Sequence, residues 1–226
     1  MSLSDSVERI YRQFAGYSCP ANLWVCEQCG PEWSAGDIRD TALRSLSLPQ
    51  LVAVHVMSLG DDALRYFFPR LMELMLQTPS PVFDFRLADL KDRMPAWQPQ
   101  EEASVRELAD AIWREMLTTY PLALGYFSDC PSTLDLLDWC GQPITGYLDS
   151  LLSGDGVPAA RHLANVIDAV FTTREPFESA SKTTVLDWLA NPAVGLRLEH
   201  ACYAANLPEA AHEPSAAYEL WTVCAR

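Results

Sequence analysis

Long hydrophobic runs and positive charge are both scarce in this sequence. No apolar stretch reaches the ~18–20 residues that a membrane-spanning helix requires, and the first seventeen residues carry charges where a signal peptide would have an apolar run. The 226 residues include 16 lysines and arginines against 30 aspartates and glutamates, a net charge of −14. Because nucleic acids and anionic membranes are bound through lysine and arginine, this balance argues against both partners.

Signatures of catalysis and of disulfide scaffolds are also missing. The sequence has no Gly-x-Ser-x-Gly elbow, no phosphate-binding loop with its lysine, and no His-Glu-x-x-His or His-x-His array. His55 lies in an apolar segment, so we expect a buried core residue there rather than a ligand. Seven scattered cysteines, an odd number, are typical of a reducing compartment. We therefore expect a cytoplasmic protein, and the missing motifs lean against an enzyme without deciding the matter.

Helix signals, in contrast, are frequent in the first half of the chain. Asp5 and Glu8 form a capping-box pattern before an apolar face that ends near Gly16. Ser47 is placed to cap an apolar segment through Val56. The clearest amphipathic pattern covers residues 101–119, where apolar side chains recur at helical spacing.

Helix starts in the second half are marked by serine, asparagine and proline. Ser132 predicts an N-cap, Pro158 a first-turn position, Asn191 with Pro192 another start, and Pro214 the start of a last helix. Strand evidence is limited to the alternation at Val82–Phe85, for which a short β-pair is the weaker alternative.

These patterns together predict an all-α protein of about nine helices. Short loops marked by proline and glycine favour an orthogonal bundle or stacked helical hairpins, and no fixed repeat period is present. We expect a single domain of residues 1–226 that could form two lobes, with a soft boundary near residues 94–102.

The cluster Cys19, Cys26 and Cys29 is the part of the sequence with metal-site spacing. Two thiolates three residues apart can converge on one tetrahedral zinc ion, and Cys19 could be a third ligand. The candidates for a fourth ligand are Asp37, His200, Cys202 and water. A redox pair and thiols packed as small apolar groups are the alternatives.

A second unusual segment combines aromatic and charged residues around Pro69. A proline within a helical pattern predicts a kink or a helix junction. Arg65 and Arg70 could bind an anion, but their large apolar neighbours favour packing, in which Arg70 pairs with Glu73 or Asp62 to close a helix corner.

At the Cys26–Cys29 loop, the Arg65–Arg70 run (Arg-Tyr-Phe-Phe-Pro-Arg) and Glu73-Leu74, the chain resembles a family of uncharacterised bacterial proteins. Members share a similar early cysteine loop and an Arg-Tyr-Phe-x-Pro helix. The resemblance covers about the first third of the chain and implies no activity. Some relatives have a histidine-aspartate pair just after the second cysteine, where this sequence reads Gly30-Pro31-Glu32-Trp33.

The sequence favours two functions, and a small-molecule pocket lined by Trp24, Trp33 and Tyr66 is a third possibility. An acidic helical protein is suited to bind a basic partner protein by charge complementarity, as an immunity or antitoxin-like protein does. The alternative is a zinc-binding protein or enzyme centred on Cys26 and Cys29. Zinc is the one cofactor that the sequence suggests, and the oligomeric state is left open.

Overall fold

The computed structural model describes residues 2–78, 90–154, 156–177, 180–204 and 208–224. It is 72% helical, and the described residues form twelve α-helices and no strand, which confirms the all-α prediction. The number exceeds the predicted nine because several helices are only one or two turns long. The alternating segment Val82–Phe85 lies outside the described residues.

The chain divides into two compact units. The first comprises Met1–Leu108 with Leu124–Tyr126, and the second Ala109–Ala123 with Phe127–Arg226. The change from one unit to the other falls inside a helix, at Leu108–Ala109, whereas the sequence suggested residues 94–102. No helix within the described ranges is both long enough and apolar enough to cross a membrane.

The first unit contains five complete helices and the start of a sixth. Serine side chains cap three of them: Ser2, Ser34 and Ser47 each accept a hydrogen bond from the backbone N–H three residues later. The elements are α1 (Leu3–Gln13), α2 (Ala35–Asp40), α3 (Leu48–Ala53), α4 (Asp61–Gln77), α5 (Leu90–Arg93) and α6 (Pro99–Thr118). Short 3₁₀ turns follow α2, α3 and α5.

Two helix boundaries in this unit differ from the prediction. The cap of α1 is Ser2 with Asp5, because Ser2 precedes the first helical residue, so the Asp5–Glu8 box was wrong. Ser47 is confirmed as a cap, but its helix ends at Ala53, before Val56.

At Pro69, α4 continues as one helix, so no helix junction forms there.

An aromatic cluster forms part of the core of the first unit. Phe14, Phe68 and Trp97 are at least 95% buried, and their ring centroids lie 4.9–5.3 Å apart. Phe14 follows α1, Phe68 lies within α4 and Trp97 precedes α6. The cluster therefore joins three segments that are distant in sequence, and burying such rings contributes about 1.5–3 kcal/mol each.

The second unit is organised around α9 (Val157–Thr172). Eight of its sixteen residues are buried, and it packs against all the other complete helices of this unit. These are α7 (Cys130–Trp139), α8 (Ile144–Ser153), α10 (Lys182–Leu189), α11 (Pro192–Ala204) and α12 (Pro208–Cys224). Tryptophan side chains connect neighbouring helices: the indole N–H of Trp221 in α12 donates to the carbonyl of Leu189 at the end of α10, at 2.7 Å.

Helix starts in this unit were predicted with mixed success. Pro158 lies in the first turn of α9, and Asn191 accepts a hydrogen bond from the backbone of Ala193, as expected. Asp129 rather than Ser132 caps α7, because the helix begins two residues before that serine. Pro214 does not open α12 but lies inside it, since the helix starts at Pro208.

Candidate metal centre

The Cys26–Cys29 segment forms a tight turn that is attached to the end of α3. The backbone N–H of Gly30 donates to the carbonyl of Cys26 at 3.0 Å, which closes the turn. The N–H of Cys26 donates to the carbonyl of Ala53 at 2.8 Å, which ties the turn to the last residue of α3. Both cysteines are thereby held next to the chain that leaves this helix.

Gly30 permits this close approach. A Cβ atom at this position would lie 2.5 Å from the Cβ of Ala53 and 2.7 Å from Cε3 of Trp33. Real Cβ atoms do not approach other atoms so closely, so any larger residue would push the turn away from α3. Gly30 therefore sets the distance between the two cysteines and the segment after α3.

His55 follows α3 in the left-handed backbone conformation, with φ 49° and ψ 56°. Non-glycine residues rarely adopt this conformation, although histidine does so more often than most. It ends the helix and is followed by a 3₁₀ turn at Val56–Ser58. The prediction of a buried helical histidine was therefore wrong, because His55 is half-buried and outside the helix.

Cys26, Cys29 and His55 bring three metal-binding atoms together. The two sulfurs and one imidazole nitrogen all lie within 4.8 Å of one another, and the Cys29 Sγ to His55 Nε2 distance is 3.5 Å. A tetrahedral zinc ion with Zn–S of about 2.3 Å and Zn–N of about 2.05 Å separates sulfur from nitrogen by about 3.6 Å. The distance between Cys29 and His55 thus matches that of two ligands on one zinc ion.

The electrostatics of the turn favour a thiolate on one cysteine. Hydrogen bonds from His55, from the Cys29 thiol and from the backbone N–H groups of Cys29 and Gln28 lower the pKa of Cys26 to about 6. The same thiol–thiolate hydrogen bond raises the pKa of Cys29 above its usual value. Since metals bind thiolate and neutral imidazole, this arrangement presents one ligand already deprotonated near neutral pH.

The site is open to solvent on one side. Cys29 is exposed, and Trp24, 63% exposed, stacks its ring against His55 with centroids 5.7 Å apart and planes inclined by 31°. A metal here would therefore be reachable from solvent, with an indole ring beside it.

The structure does not place Cys19 in this group. Its thiol interacts with the hydroxyl of Tyr66, and burial raises its pKa, which disfavours the thiolate that a metal needs. Of the fourth-ligand candidates, Asp37 accepts hydrogen bonds from Ser34 at the start of α2. His200 and Cys202 belong to α11 in the second unit. Among the described residues, the group has three members.

Arg65 is buried and makes contacts within the first unit. It donates to the carbonyl of Ala96 at 2.8 Å and to Asp62 at 3.3 Å, and its Nε lies 3.7 Å from Glu101. Its guanidinium also lies 5.5 Å from the ring centroid of Tyr17. Arg65 thus connects α4 to the start of α6.

Arg70 and Glu73 form a second set of contacts on α4. Arg70 donates to Glu73 at 2.6 Å and to the carbonyl of Leu46 at 2.7 Å, and Glu73 also accepts from the hydroxyl of Tyr11 at 2.6 Å. These bonds join α4 to α1 and to the turn before α3. In both sets the arginines are engaged by protein groups.

A cavity of about 440 Å³ lies between α9 and α12 in the second unit. Arg161 and Glu213 form part of its wall as a bidentate pair, with distances of 2.8 and 2.9 Å, and the guanidinium lies 3.9 Å from the ring centroid of Tyr120. Asn165, Asp168 and His212 also contribute polar groups to the lining. The strongest charged pair of the wall is thus satisfied internally, so the cavity specifies no ligand class.

Compared with known proteins, the chain matches no family model, no curated protein and no solved structure. The resemblance of its first third to an uncharacterised bacterial family stays a prediction.

Proposed function

We propose that this protein binds a transition metal, with zinc as the first choice, through Cys26, Cys29 and His55. The observation that supports it is the convergence of two sulfurs and one imidazole nitrogen within 4.8 Å. The donor set of thiolates and imidazole is the one that zinc prefers among the metals common in proteins. In the reducing cytoplasm that the sequence suggests, both thiols would stay available for binding.

The ligands come from two separate segments, which suits a site that depends on the fold. The turn at Cys26–Cys29 would bind the metal only when Gly30 packs on Ala53 and His55 holds its left-handed conformation. The affinity of the folded protein should therefore exceed that of the unfolded chain by a large factor.

Metal analysis of the protein purified without a histidine tag tests this proposal. We expect one zinc per chain, and loss of the metal in Cys29→Ser and in His55→Asn. Asparagine is chosen because it tolerates the left-handed conformation while removing the imidazole. The matched control is His212→Asn, an exposed histidine in the second unit.

Two results would contradict the proposal. One is a stable protein that binds no zinc, cobalt or cadmium at micromolar concentration. The other is stoichiometric zinc that persists in both His55→Asn and Cys29→Ser but is lost in a control variant, which would place the metal elsewhere.

A second candidate function is the binding of a basic protein. It is supported by the net charge of −14 and by two exposed apolar side chains on α11, Leu196 and Tyr203, which are 57% and 83% exposed and share a face at a spacing of seven residues. Salt-sensitive capture of a basic protein from the native lysate would support this function. Capture that is absent, or unaffected by salt, would contradict it.

A further inference from the structure

We propose that the metal held by Cys26, Cys29 and His55 takes a thiolate from outside this chain as its fourth ligand. This inference rests on the proposed metal site and names the chemistry of what that site binds. The thiolate could belong to a small thiol or to a cysteine of a second copy, and the experiment below separates the two sources.

The number and exposure of the ligands support an exchangeable position. Zinc takes four ligands, and closed structural sites supply all four from the protein. In the described part of the chain, the group of donor atoms has three members, and Cys29 is exposed. A site with three protein ligands and access to solvent is the arrangement that leaves one position for water or for a ligand.

The donor set favours a thiolate over activated water. The donor group already contains two sulfurs, and the metals that such soft donors select also accept further thiolates. Hydrolysis by a metal-bound hydroxide is commonly assisted by a base, and in the described part of the chain the donor group itself, two cysteines and one histidine, contains no carboxylate for that role. A thiol, in contrast, is deprotonated by coordination itself and needs no base.

The ring of Trp24 adds a surface for the carbon chain of such a ligand. It is 63% exposed and stacked on His55, one of the three ligands, so it lies beside the metal position. In the binding step, the metal–oxygen bond to water breaks and the metal–sulfur bond forms. The thiol proton passes to the buffer, and no electrons are transferred.

The experiment uses the full chain loaded with Co(II), whose absorption reports the number of bound thiolates. Titration with 2-mercaptoethanol should raise the sulfur-to-cobalt charge-transfer band by about half, because two bound thiolates become three. Ethylene glycol, which replaces the sulfur by oxygen, is the matched control and should leave the band unchanged. Cobalt per chain, measured after desalting, should stay at one throughout.

The sources are distinguished by molar mass from light scattering. A three-thiolate spectrum without added thiol, in a dimer that Cys224→Ser converts to a two-thiolate monomer, would assign the ligand to a second copy. A two-thiolate monomer that responds to 2-mercaptoethanol would assign it to a small thiol. Either result supports the inference.

Three outcomes would overturn it: cobalt that is stripped by the thiol, a two-thiolate band that does not respond to the thiol, and a three-thiolate spectrum in a monomer without added thiol. In each of these the chain binds cobalt before the thiol is added, so the proposed function survives. If the chain binds no cobalt at all, the proposed function itself fails.

Discussion

Substitution of Gly30 by alanine should weaken both the packing of the first unit and the metal site. The added Cβ would lie 2.5 Å from the Cβ of Ala53 and 2.7 Å from the ring of Trp33. The methyl group of Ala53 is fixed to the helix backbone and fully buried, so it cannot rotate away. The turn must therefore move by about 1 Å to restore an ordinary contact distance of about 3.5 Å.

The cost follows from that displacement. Overpacking of a buried contact destabilises a protein by about 1–3 kcal/mol. For a chain of this size, each kcal/mol lowers Tm by about 2–4 °C, so Gly30→Ala should lower Tm by about 2–12 °C. Metal–ligand distances tolerate only about 0.2 Å, so the same shift should reduce zinc affinity by about tenfold or more.

Calorimetry in excess chelator measures the packing effect alone, and competition with a chromophoric chelator then measures zinc affinity. Gly16→Ala is the matched control, because a Cβ there meets no atom within 4 Å, and its stability should change by less than about 0.5 kcal/mol. If Gly30→Ala had the same Tm as the wild type in excess chelator, the packing of the turn on α3 would be refuted. If stability fell but zinc affinity did not, the turn would be unrelated to the metal.

Two further predictions concern protonation and hydrogen bonding. The pKa of Cys26 is about 6 and that of Cys29 is raised, so between about pH 7 and 8.5 metal binding should release one proton, from the Cys29 thiol. The logarithm of the metal-binding constant should therefore rise by about one per pH unit in a competition titration. A pH-independent affinity would contradict the assignment of Cys29 as a ligand. Tyr11→Phe removes the hydroxyl that donates to Glu73 at 2.6 Å and should cost about 1–2 kcal/mol in urea unfolding. Tyr203→Phe, at an 83% exposed position, should cost nothing measurable, and equal effects of the two would show that the hydrogen bond is not stabilising.

The fold class follows from the sequence because local signals agree with one another. Ser47 and Pro158 mark helix starts through chemistry that acts within three or four residues, namely a side-chain acceptor and a missing backbone donor. Pro214 misled the prediction because the same residue that opens a helix can also lie within one when packing supports it. At α7, Asp129 and Ser132 are both residue types that cap helices, and the helix uses Asp129, whose side chain accepts from the backbone N–H of Ser132.

The candidate site could be predicted only in part. The spacing of Cys26 and Cys29 predicted two members of the candidate donor group, since that signal is local. His55 was missed because its apolar neighbours Val54 and Val56 continue a helical pattern in the sequence, whereas its left-handed conformation places it outside the helix. Nothing in the sequence alone says that these residues meet, because the contact depends on how Gly30 packs against Ala53.

The contact between Cys29 and His55 joins positions 26 residues apart, and the intervening chain contains α2 and α3. A coordinated metal would thus act as a reversible cross-link that closes a loop of the backbone. By the chain-entropy relation for cross-links, closing a loop of this length lowers the conformational entropy of the unfolded state, which stabilises the folded state by about 3.5 kcal/mol. Removal of the metal should therefore expose this segment, before the rest of the first unit, to proteolytic cleavage.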